Sequence, residues 1–143
     1  MRSFLILAIT ILGFNANAQY SFEQAYNNHP FLPHGVLEGV AWTNTRMHHL
    51  QNEMESCSGY PQAFGIMGLH DNGENYFIEN GQTVANLSGI SIAQQKSHPQ
   101  FQIDAYASAL ESILVQSNDH LDPVNISSAL MQLSEIPDTG LVN

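Results

Sequence analysis

The chain has 143 residues, 43% hydrophobic and only 11% charged, with a formal net charge of −10. That length suits one domain with its own core, and three Lys and Arg residues are too few to bind the phosphates of nucleic acid or anionic lipid. The single cysteine, Cys57, excludes a disulfide framework within the chain and is either a free thiol or paired outside it.

Residues 1–18, MRSFLILAITILGFNANA, carry Arg2, then an apolar run from Phe4 to Phe14, then Ala16-Asn17-Ala18. This is the pattern of a secretory signal peptide cut after Ala18. The alternative is an uncleaved anchor, although the run is short for a membrane span. No other run is long enough to cross a bilayer. The expected location is therefore secreted or periplasmic, with no membrane contact after cleavage. From Gln19 onward, Arg46 and Lys96 stand against all thirteen carboxylates, a formal charge of −11.

YSFEQAYNNHP reads as a short helix, with Ser21 and Gln24 as a capping box and His29-Pro30 as a stop. A second helix is expected from near Pro33 to about Leu50. Its apolar positions Val36, Leu37, Val40, Ala41 and Met47 have the spacing of a core-facing stripe, yet Asn44 falls on that stripe. A polar segment follows, Gln51 to Gln62, broken by Gly59 and Pro61. AFGIMGL, 63–69, is a compact apolar stretch with two glycines, and HDNGEN after it is a turn. QTVANLSG predicts a short helix ended by Gly89, and SIAQQKSHP another, capped by Ser91 and stopped at Pro99. The longest helix is expected over 100–116, burying Ile103, Tyr106, Leu110 and Ile113 or Leu114. Asp122 and Pro123 open a last helix, with Ile126, Leu130 and Leu133 inward. Strand alternation is almost absent, so the expected fold is an all-α, single-core domain of short helices over 19–135, with 136–143 a tail or the start of a linker.

Seven histidines invite a zinc site, but none form the H-E-x-x-H or C-x-x-C spacing that puts ligands on one face. His48 and His49 are adjacent and point about 100° apart on a helix. Cys57 has no recognisable nucleophile context. Asp71 and Glu74 sit in a Gly/Asn turn and read as a solvated turn rather than a carboxylate dyad. There is no phosphate-binding glycine loop and no nucleophile elbow.

Taken in order, VLEGVAWTNTRM, then AFGIMGL, then TVANLSGISIAQQKSHPQFQIDAYASAL are similar to the lysozyme-like fold of soluble lytic transglycosylases and goose-type lysozymes. The likeness covers roughly residues 33–115. VLEGVAWTNTR, FGIMGL and NLSG resemble more closely the degenerate lysozyme-like N-terminal domain of secreted bacterial N-acetylmuramoyl-L-alanine amidases, where a zinc amidase domain follows. The resemblance implies a lysozyme-like single domain, peptidoglycan glycan strands as partner, and no cofactor in this chain, zinc entering only with an amidase domain beyond it.

The same resemblance gives Asn44 a meaning. Its position is that of the family's catalytic glutamate, an acid whose raised pKa lets it protonate the glycosidic oxygen. An amide has no such proton to give. Gly68 likewise stands where the family has a glutamine. The implied module has lost glycosidase chemistry, with Asn44, Arg46, Gly65, Met67, Gly68 and His70 as candidate glycan-binding residues. Glu38, about 120° around the helix from Asn44, is no substitute, and Trp42, about 160° away, is expected in the core or on another face. Three alternatives stand beside this: Asn44 as a core amide satisfied by backbone; an active glycosidase using a displaced carboxylate, Glu53, Asp71 or Glu74; and a non-catalytic interaction domain of the envelope.

Overall fold

The computed structural model describes residues 20–51, 63–71, 79–117 and 119–135. The expected signal segment 1–18, the tail 136–143, most of the polar stretch after Leu50 (with Glu53 and Cys57) and Glu74 lie outside these residues. The described residues form six α-helices and no strand, so the architecture is all-α. None of these helices is long and apolar enough to cross a membrane.

α1 is Phe22–Asn28. Ser21 caps it, accepting the Gln24 N–H at 3.2 Å, but the reciprocal half of the expected capping box is missing. The Ser21 N–H goes instead to Gln100 Oε1 at 2.7 Å, and Gln100 Nε2 donates back to the Ser21 carbonyl at 3.2 Å. A side chain some eighty positions on thus pairs with this backbone as a strand would.

α2, Val36–Thr45, is shorter at both ends than its apolar pattern suggests. Gly35 is left-handed at φ 91°, so the helix cannot reach back to Pro33. The capping acceptor comes from another helix: the Tyr26 hydroxyl takes the N–H groups of Gly35 (2.9 Å) and Leu37 (3.0 Å) and donates to Glu38. Burial, and then the Glu38 bond, push this hydroxyl far above the usual phenol range. At the other end Arg46 and Met47 both turn left-handed, at φ 55° and 64°. Their N–H groups reach back to the carbonyls of Trp42 and Ala41, the paired bonds that close a helix in the Schellman manner. Left-handed backbone in two successive non-glycine residues has no composition signal, which is why the sequence pattern runs on to Leu50.

AFGIMGL folds into a miniature hairpin. Phe64 and Leu69 exchange both backbone bonds, as do Leu50 and Gly65. Gly65 and Gly68 make its corners at φ 71° and 66°, a region glycine enters without a steric penalty. α3 follows as Asn80–Ser88, ended by left-handed Gly89, and α4 as Ile92–Ser97, where Ser91 and Gln94 form a complete capping box.

α5, Pro99–Leu114, is the central post: it packs against each of the other five helices. Ile103, Tyr106, Leu110 and Leu114 are buried as the pattern implies, and Ala105, Ala107 and Ala109 are buried with them. Those alanines keep the post thin enough for neighbours to close on several sides. α6, Pro123–Ser134, is capped by Asp122 and buries Ala129 and Leu133, with Ile126 and Leu130 half-buried. Glu135 closes it and binds α3, accepting from Thr83 Oγ1 and the Glu79 N–H.

Candidate functional site

α2 has two apolar stripes, and they face different places. Leu37, Ala41 and Thr45, spaced by four, are buried in the core. Val36, Val40 and Asn44, also spaced by four, turn instead toward a groove of about 490 Å³. Gly39 and Thr43 complete that wall. Tyr106 of α5 lines the groove from between the two flanking helices, and α6 supplies the far side with Ser127, Leu130, Met131 and Ser134. The lining is mainly apolar, with hydroxyls at intervals.

Asn44 is exposed, so it is not a core amide. The sequence placed it on one stripe with Val40 and Leu37; Val40 does share its wall of the groove, while Leu37 is buried in the core. Its Nδ2 donates to the Met67 carbonyl at 2.9 Å. Among the described residues its Oδ1 has no protein partner. The next residue, Thr45, bonds the same hairpin through Oγ1 to the Ile66 carbonyl at 2.7 Å. The end of α2 thus holds the hairpin with two adjacent side chains.

The other expected residues are not gathered around Asn44 at one ligand surface. Met67 is fully buried, its N–H bonded to Gln102 Oε1 (2.7 Å) and its carbonyl to Asn44, so it belongs to the core. Gly65 is buried too, and the space beside it is already filled: a Cβ there would lie 2.0 Å from Gln102 Oε1. At Gly68 a Cβ would meet Asn44 Cβ at 2.7 Å. Both glycines therefore admit the protein's own side chains, not a sugar. His70 does not line the groove; its backbone is fixed at the start of α3 by Asn80 Oδ1 and the Gly81 N–H. Arg46 sits just outside the groove on the exposed face of α2, its guanidinium 5.5 Å from the Trp42 ring centre and Nη1 donating to the Trp42 carbonyl. Trp42 is 57% exposed, on a face of its own rather than in the core.

No carboxylate lines the groove among the described residues. Glu38 is bonded to Tyr26, and Asp71 is paired with Lys96 at 2.6 Å. Glu53 and Glu74 lie outside the described residues. The titratable side chain in the wall is Tyr106, whose burial pushes its hydroxyl far above the ordinary phenol value, so it stays a proton-bearing donor. No three His, Cys, Asp or Glu side chains gather as a metal site among the described residues. The groove can therefore bind through hydroxyls, an amide carbonyl and apolar walls, while its described lining has no group suited to acid catalysis near neutral pH.

Sequence reasoning missed Gly39, Tyr106 and the two α6 serines. Gly39 alone carried a signal, since a glycine inside a helical pattern asks for a reason. Tyr106 was read only as core, which it also is. Set against known proteins, the chain matches no family model, no curated protein and no solved structure.

Proposed function

We propose that this chain is a peptidoglycan-associated, lysozyme-like module of a cell-wall amidase, which holds N-acetylated glycan in the α2–α6 groove and does not cleave it. The observation that carries this is Asn44. By the resemblance it takes the position of the family's acid; it lies on the wall of a ligand-sized groove, with its amide donor committed to Met67 and its carbonyl without a protein partner among the described residues. A carbonyl so placed can accept from an acetamido N–H or a sugar hydroxyl. Apolar Val36, Val40 and Leu130 suit the methyl of an N-acetyl group and the flat face of a pyranose. Binding of this kind is weak, with a dissociation constant on the order of 1 mM.

Two measurements test it together. The pure chain should leave the turbidity of a peptidoglycan suspension unchanged, and N-acetylglucosamine tetramer should shift NMR signals of α2 and α6. Asn44→Leu should weaken that binding by about 1–3 kcal/mol, the range for an unmet polar contact, with folding followed separately by melting. Dose-dependent clearing of the suspension would reinstate an active glycosidase. Absence of any sugar shift in the wild type would leave an interaction domain of another kind.

A further inference from the structure

α2 and α6 both pack on α5, and the groove is the gap left between them. Val36 and Val40 face it from α2, Leu130 and Met131 from α6, and all four are only half-buried. An apolar helix face normally closes against another element. Here the described residues leave both faces uncovered. The lining holds no carboxylate, lysine or arginine, so a charged occupant finds no partner in it. It suits an apolar segment of low charge.

The chain itself leaves α6 at the edge of this groove. Ser134, the last residue of α6, is part of the lining. Glu135 then takes a left-handed φ of 55°, which stops the helix and turns the backbone off its axis. Its carboxylate accepts from Thr83 Oγ1 and the Glu79 N–H on the α3 side, so the point of exit is held. The residues next in sequence are Ile136-Pro137-Asp138-Thr139-Gly140-Leu141-Val142, apolar at both ends and with Asp138 as the one charge. Seven extended residues reach up to about 23 Å. The groove face of α6, from Ser127 to Ser134, is only about 10 Å long.

We infer that the groove is a docking site for the chain's own segment 136–142, which turns back from Glu135 and lays Leu141 and Val142 between Val40 and Leu130. Gly39 gives this segment room: a Cβ there would meet no described atom within 4 Å, and without one an extended backbone can lie close to α2. The tether favours this occupant over a second copy. A short linker holds the segment at an effective concentration on the order of 1 mM, whereas another chain must come from bulk against a formal charge of −10 on each partner. Burying two branched apolar side chains supports a dissociation constant on the order of 1 mM, so about half the molecules hold the segment in place at once. The inference does not depend on the glycan reading, but any ligand of the groove must displace the tail.

The test uses the whole chain with Cys57→Ser and a nitroxide attached at Asn143→Cys. Its backbone amides are observed by NMR. The nitroxide should broaden Val40 and Met131 strongly and Gln94 on α4 weakly, and dilution should not change this. Leu141→Asp lies outside the helical core and leaves the fold alone; it should cut the broadening at least about 5-fold, because the lining offers a carboxylate no partner. Gly39→Leu should do the same by filling the place of the segment. Equal broadening of Val40, Met131 and Gln94 would overturn the inference, and so would broadening that Leu141→Asp leaves intact. Broadening seen only between separately labelled molecules, and lost on dilution, would give the groove to a second copy and overturn it too.

Discussion

Gly65 and Gly39 are both glycines with no side chain to offer, but they sit on opposite sides of the α2 region and answer to different needs. At Gly65 the missing side chain is replaced from within: the Gln102 amide lies against the backbone, accepts the Met67 N–H and donates to the Phe64 carbonyl. At Gly39 none of the described residues takes the space. The same division runs along the helix. On the inner side, Thr45 is buried and bonded to Ile66. On the outer side, Asn44 has an idle carbonyl, and Arg46 has no carboxylate partner among the described residues. A glycine whose space is filled by its own protein is architecture, whereas at Gly39 neither the backbone angle nor the packing of the described residues asks for a glycine.

The comparison predicts a graded set of effects. Gly65→Ala should be the most damaging, because it strains a left-handed backbone and expels the Gln102 amide from both its bonds. A loss of about 3 kcal/mol or more is expected in urea unfolding. Tyr26→Phe should follow at about 1–2 kcal/mol, since it removes the acceptor for two N–H groups at the start of α2. Equal stability of this variant and wild type would show that water caps α2 as well as the tyrosine does.

A smaller effect is expected from pH. Burial, with the neighbouring His98 adding to it, holds His49 below its ordinary value of 6.5. The unfolded histidine takes its proton as pH falls through 6.5, and the folded one only at lower pH. Stability from this group is therefore complete above pH 6.5 and declines as pH falls from there through the folded value. Calorimetric melting between pH 7 and 5 should show a shallower decline in His49→Gln than in wild type. Smallest of all is Thr43→Ala on the groove wall, which should change stability by no more than about 0.5 kcal/mol. A cost well beyond that would mean that the outer side also carries the fold, and the contrast would fail.

Much of the fold was legible because its signals are local. Ser91 and Asp122 cap the helices they precede, Gly89 ends α3, and the three- and four-residue spacing from Ile103 to Leu114 marks the inner face of α5. What could not be read is set by partners distant in sequence. The start of α2 depends on a hydroxyl from α1, and its end on two left-handed residues of ordinary type. The hairpin at 64–69 showed its glycines but not Gln102, which fills the space beside one of them. At the site, Asn44 was visible as an anomaly, but the pattern assigned it to the wrong stripe: Val40 at i−4 and Leu37 at i−7 both fit an inward face, and only packing shows which stripe the core takes.

The central place of α5 also sets an order of assembly. α3 and α4 come immediately before α5 and pack on it, so residues 80–114 can condense through short loops. α1 is fastened to that unit by Ser21 with Gln100 and by His29 with Glu111, pairs separated by 79 and 82 positions. Because a chain is made from its N-terminus, the first two helices are synthesised long before the post they lean on. Until α5 follows, that N-terminal stretch has only its own bonds, from Tyr26 to α2 and from α2 to the hairpin, and lacks the post on which it packs; once α5 arrives, Gln100 and Glu111 can fasten it.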